Sequence, residues 1–150
     1  MRVLGIEITG TTIHWLLLEG DSTSGSIHYL PEGKLQCPIS GSRPGQNYIL
    51  LKNIIVANLR KSAPDKVSII KADVSSGVGR TKMECIVEIA CEETGVPCDL
   101  IHANSIANIM KKKFIEVVGD TPENAYNNGE AISPKYLTKA FFCAWKGLNG

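Results

Sequence analysis

The chain has 150 residues, of which 43% are apolar and 21% charged, and its formal net charge is +1. That length holds one domain with a full core, and that apolar content excludes disorder over the whole chain. The near-neutral balance excludes a global electrostatic pull toward nucleic acid or membrane, so any basic surface has to be local.

Residues 2–9, Arg-Val-Leu-Gly-Ile-Glu-Ile-Thr, are mostly apolar with β-branched members and predict a strand. The turn signal Thr9-Gly10-Thr11 leads into a second strand over 12–19, so the two form an antiparallel hairpin. A first element of this kind reads as a strand and not as a signal peptide. No apolar run reaches the roughly 18 residues of a membrane span. A cytoplasmic protein is the resulting expectation. A third strand is expected in 26–30 or 34–38, and the turn-rich stretch 39–46 is expected to be a loop.

From Asn47 to Lys61, Tyr48, Leu51, Ile55 and Leu59 recur on one helical face, and Pro64-Asp65 ends the helix. Residues 66–72 predict a strand parallel to the first, because a helical crossover precedes it. A glycine-bearing loop, Asp73 to Arg80, follows. The helix predicted over 82–94 carries the stripe Met83, Ile86, Val87 and Ala90, with Thr81 and Glu84 spaced as a capping box and Gly95 with Pro97 as its stop. A short strand over 98–102 and a short helix through Lys113 come next. Residues 119–134 read as a loop, and Pro134 opens a last helix to about Trp145.

Five cysteines, Cys37, Cys85, Cys91, Cys98 and Cys143, include no C-x-x-C pair. An odd, unpatterned set points to free thiols in a reducing compartment, not to a disulfide framework or zinc site. His14, His28 and His102 are scattered without metal-ligand spacing, which points to hydrogen-bonded structural histidines. Gly77-Val-Gly79-Arg80-Thr-Lys82 lies between a strand and a helix start, where free N–H groups and the helix dipole favour an anion such as a backbone phosphate. Its spacing is not that of a Walker A loop. Lys111, Lys112 and Lys113 suit a solvated helix end. If they share a face with Arg80, Lys82, Lys135 and Lys139, they make a local phosphate-binding patch for DNA or RNA.

The order β-β-β-α-β-α-β-α-α, with the opening Met1-Arg-Val-Leu-Gly-Ile-Glu7-Ile-Thr-Gly10, resembles the RNase H-like superfamily in its RuvC-type Holliday-junction resolvase branch. The resemblance implies one α/β domain over 1–150. Its sheet would be mixed and five-stranded, an antiparallel three-strand meander plus parallel strands, flanked by helices. It also implies a nuclease centre of about four carboxylates holding two Mg²⁺ ions. Carried over position by position, Glu7 stands in place of the first-strand Asp. Ile70 and Lys71 stand where the family has its fourth-strand Glu, with Asp73 a displaced substitute. Ser133-Pro134-Lys135-Tyr136, followed by Lys139, stands where the family has two acids.

The leading expectation is therefore a resolvase-like module, dimeric, that binds nucleic acid or protein without the usual two-metal activity. A second is an active Mg²⁺-dependent nuclease with rearranged acids, Glu7 and Asp73 joined by Glu123 or Glu130. A third is a scaffold or assembly protein. The segment Gly5 to Thr12 is also similar to the first phosphate loop of the sugar-kinase and actin superfamily, in which Gly10 and Thr11 would meet nucleotide phosphates.

Overall fold

The structure is a computed structural model that describes residues 1–20, 27–36, 43–73, 75–111, 126–127, 130–131 and 138–148; over 27–36, 126–127 and 130–131, and at 111, it describes the backbone alone. Strands β1 (Arg2–Thr9) and β2 (Thr12–Gly20) pair in the register Arg2↔Glu19 to Thr9↔Thr12. Gly10, at φ 59, supplies the left-handed turn residue between them. Strand β3 (Ile27–Gln36) pairs antiparallel with β2, with a bulge between Trp15 and Leu17. Strand β4 (Lys66–Ile70) runs parallel to β1, and β5 (Cys98–Ile101) runs parallel to β4. The sheet order is β3-β2-β1-β4-β5.

Side chains alternate across this sheet and separate two apolar layers. Leu4, Ile6 and Ile8 of β1 and Val67 and Ile69 of β4 face helices α1 (Pro44–Ser62) and α2 (Val78–Thr94). The matching helix residues are Leu51, Ile55, Val56 and Leu59 on α1, and Met83, Ile86, Val87 and Ala90 on α2. Val3 and Ile70 face the other layer, formed by α3 (Ala103–Lys111) and α4 (Lys139–Leu148) through Ile106, Phe141, Ala144 and Leu148. A groove of about 410 Å³ opens between α1 and the β1–β2 face and is lined by apolar side chains that include Leu4, Ile6, Trp15 and Ile55.

Two glycines let α4 lie on the sheet backbone itself. A Cβ on Gly5 would collide with the Ala140 carbonyl oxygen and with Ala144, and one on Gly147 would meet Ser68 and Val3. These contacts also fix direction: Gly147 lies over Val3, and Ala140 and Ala144 lie over Gly5. Helix α4 thus runs antiparallel to β1, and its first turn sits at the C-terminal end of that strand.

The elements differ from their predicted bounds where capping chemistry decided otherwise. Helix α1 begins at Pro44, whose fixed φ suits a first turn, and closes on Ala63, left-handed at φ 45. Helix α2 begins at Val78, and the Thr81–Glu84 capping box does not form. Glu84 is buried and accepts the Ala72 N–H at 2.6 Å, while Thr81 donates to the Gly77 carbonyl at 3.1 Å. The third strand is one continuous element, Ile27–Gln36, that overlaps both expected segments, whose residues 26, 37 and 38 lie outside the described residues. The expected 119–134 loop contains a short hairpin, β6 (Tyr126–Asn127) with β7 (Glu130–Ala131). Pro134 lies outside the described residues, and α4 runs on to Leu148. Among the described residues no helix is long and apolar enough to cross a membrane.

Candidate functional site at the C-terminal edge of the sheet

Glu7 sits one residue from the end of β1 and is half-buried. Alternation puts it on the same face as Val3 and Gly5, toward the first turn of α4. The β1–β4 register ends at Ile6↔Ile69, so one step further Glu7 stands beside Ile70 on that face. Ile70 is only 4% exposed. Helix α4 opens with Thr138, whose hydroxyl accepts the Phe141 N–H at 3.3 Å, the bond of an N-cap. Lys139 follows, exposed, and the first turn carries no acid. The thiol of Cys143, one turn into α4, donates to the Ser68 carbonyl at 3.1 Å. Burial pushes that thiol up to about 12, and the Glu7 carboxylate adds to the shift.

On the opposite face the same strand ends are tied by Arg80. Its Nε donates to the Ile8 carbonyl at 2.9 Å and one Nη to the Ile70 carbonyl at 2.8 Å, bridging β1 and β4. The other Nη lies 3.9 Å from the Glu84 carboxylate. The guanidinium therefore faces inward and not toward a bound phosphate. Glu84 was not a sequence-level candidate. Its burial in the first turns of α2 depends on where the helix begins, and the spacing with Thr81 suggested a cap instead.

Asp73 follows β4 but is exposed, and its carboxylate is turned back on its own loop. It accepts the Ser75 hydroxyl at 2.6 Å, the Ser75 N–H at 2.9 Å and the Ser76 hydroxyl at 3.0 Å. The Ser75 hydroxyl, then its N–H, then Ser76 hold its carboxyl below the ordinary value, with a smaller contribution from Arg80. Gly77, left-handed at φ 84, stands at the N-terminus of α2 with Gly79 in the first turn, and no side chain caps that end. Lys82 is exposed and extends over the Tyr48 ring of α1, 5.7 Å from its centre. It thus lies on the α1–α2 side of the sheet, whereas Lys139 lies on the α4 side. Lys111 closes α3, roughly 12 Å along the helix axis from its start. Lys112, Lys113, Lys135 and Glu123 lie outside the described residues, as does the side chain of Glu130. Among the described residues, no three His, Cys, Asp or Glu side chains gather closely enough to hold a metal ion. His14 is bonded to the Thr9 hydroxyl at 2.9 Å.

The strand order, the crossovers and the antiparallel α4 over β1 define an RNase H-like fold of the kind found in Holliday-junction resolvases. Thermus thermophilus RuvC, solved in complex with a Holliday junction, superposes with a TM-score of 0.70 at 16% identity, over 97% of this chain and 91% of that one. A second structure of Thermus thermophilus RuvC gives 0.68 at 16% identity, over 97% and 92%. The fowlpox virus resolvase bound to junction DNA gives 0.60 at 11% identity, over 99% and 97%. No protein-family model matches the sequence, and no curated protein does.

Proposed function

We propose that this chain is a resolvase-like nucleic-acid-binding module whose two-metal centre is degenerate. The observation that carries the reading is the neighbourhood of Glu7. Its same-face neighbour at the end of β4 is buried Ile70, and the helix turn that approaches it brings Lys139 and no acid. Two Mg²⁺ ions need several oxygen ligands converging within a few ångströms. The described residues do not fit that group: Glu7 is a single acid, and the Asp73 carboxylate is committed to Ser75 and Ser76.

Binding is supported by near-complete superposition on RuvC and the fowlpox resolvase, both solved with junction DNA. Two separate sets of groups are able to meet a phosphate backbone: the open N-terminus of α2 at Gly77 and Gly79 with Lys82 on one side of the sheet, and Lys139 on the other, with the lysines at 111–113 and 135 as further candidates from the sequence. A homodimer would place two such edges on a branched substrate.

The test is fluorescence anisotropy on four-way junction, flap and duplex DNA across a salt series, with cleavage assays in Mg²⁺ and Mn²⁺ on the same substrates. Salt-sensitive binding with no cleavage is the expected result, and Glu7→Gln should leave that binding intact. Cleavage that Glu7→Gln abolishes would instead establish the alternative nuclease built on Glu7 and Asp73. Absence of binding at low salt would leave the scaffold role.

A further inference from the structure

The groove between α1 and the β1–β2 face lies on the side of the sheet away from Glu7. Alternate strand residues line it, Leu4 and Ile6 on β1 and Trp15 and Leu17 on β2, with Ile55 and Leu59 one turn apart on α1. The aliphatic members of this wall are at most 7% exposed, so the space is a narrow slot between packed elements and not an open patch. Native interiors hold few voids larger than a water molecule. A slot of about 410 Å³ instead falls in the size range of small-molecule sites. Along β1 it runs roughly 13 Å from Arg2 to Ile6. A single unbranched hydrocarbon chain suits that shape.

The polar lining gathers at one end, where β1 begins and α1 finishes. It consists of Arg2, Asn58, Lys61 and Ser62. Both charged groups are cations, and among the described residues no acid lines the groove. The acids nearby are placed otherwise. The Asp65 carboxylate accepts the Arg2 backbone N–H at 2.7 Å. Glu19 stands 3.6 Å from the Arg2 Nε, beyond hydrogen-bond reach. That Nε is buried and has no hydrogen-bond partner among the described residues. A buried guanidinium N–H left without a partner is costly, and a carboxylate oxygen is the acceptor that suits it best.

We propose that this groove binds a medium-chain fatty acid, with its tail between Ile55 and Trp15 and its carboxylate at the mouth formed by Arg2 and Lys61. Apolar burial holds the tail, and the two cations fix its direction. The site is independent of any nucleic-acid contact at the Glu7 edge, which lies on the other face of the sheet.

The test is isothermal titration of the full chain with decanoate and, in parallel, with decanol, each below its aggregation threshold, while tryptophan emission is recorded. Decanoate should bind with one molecule per chain. Decanol should bind about tenfold more weakly, the worth of one charge-assisted hydrogen bond. Binding should shift the emission of Trp15, and Trp15→Phe should remove the shift, because Trp145 packs in the other apolar layer. Lys61→Gln should weaken decanoate binding and leave decanol unchanged. Asn58→Trp, which blocks the mouth from a half-buried position, should abolish both with the circular dichroism spectrum retained. Should Asn58→Trp fail to fold, Lys61→Gln at its exposed position still decides. The proposal is overturned if decanoate does not bind, if the two probes bind equally, or if either folded variant leaves decanoate binding unchanged. It is also overturned if sedimentation shows Asn58→Trp converting a dimer to a monomer, since a second copy of the chain would then be the occupant.

Discussion

Arg80 shows how a single side chain can change role once its backbone is placed. In the sequence it is a cation after a glycine loop, which suggests a phosphate ligand. Because α2 begins at Val78, the residue falls within the first turn, and its guanidinium reaches back to the Ile8 and Ile70 carbonyls. Arg80→Met leaves those carbonyls and the buried Glu84 without their cation. A loss of roughly 3 kcal/mol is expected in urea unfolding, by analogy with broken buried pairs. Adding Glu84→Gln should restore part of it. Glu88 provides a second check. Burial, followed by repulsion from and hydrogen bonding to Glu84, raises its carboxyl above the ordinary value. An acid whose folded value is raised favours the folded state while protonated. That contribution is present below the unfolded value and is lost as pH rises through the folded one. Glu88→Gln should therefore flatten a decline in stability with rising pH across the weakly acidic range, measured by thermal unfolding at stepped pH.

At the scale of elements, what was readable came from local periodicity. The stripe Met83, Ile86, Val87 and Ala90 is buried as a helix face, and the strands around Gly10 form the expected hairpin. Start points were less readable, because a cap depends on whether a side chain has a better partner elsewhere. Glu84 found one in the Ala72 N–H. The close seating of α4 was also hidden, since it joins Gly5 to Ala140 and Ala144 across most of the chain. Gly5→Ala must push that helix off the sheet, and a cost of about 2 kcal/mol or more is expected in chemical denaturation. Gly45→Ala, with nothing within 4 Å of the added methyl, should be neutral or mildly stabilising in the same assay.

For the whole molecule, the order of elements was enough to suggest the fold, because few topologies satisfy two hairpin-linked strands followed by helical crossovers. The edge where function would reside was only half legible. Glu7, Ile70 and Lys139 were each visible through the family resemblance, but which of Ile70 and Lys71 faces Glu7, and which turn approaches it, follows from strand register and the seating of α4. Lys139 and Lys82 turned out to flank different faces of the sheet, which a linear reading of basic residues could not separate. If the α4 side tracks a nucleic-acid backbone, Lys139→Glu should weaken junction binding and reduce the slope of log K against log salt by about 1. Lys82→Glu reports on the opposite flank in the same titration.

The seating of buried Ile70 beside Glu7 also sets the electrostatics of this strand end. Two carboxylates side by side repel, whereas a buried isoleucine contributes roughly 1.5–3 kcal/mol of apolar burial. Ile70→Glu would give up that burial and add the repulsion, so the strand end tolerates one acid far more readily than two.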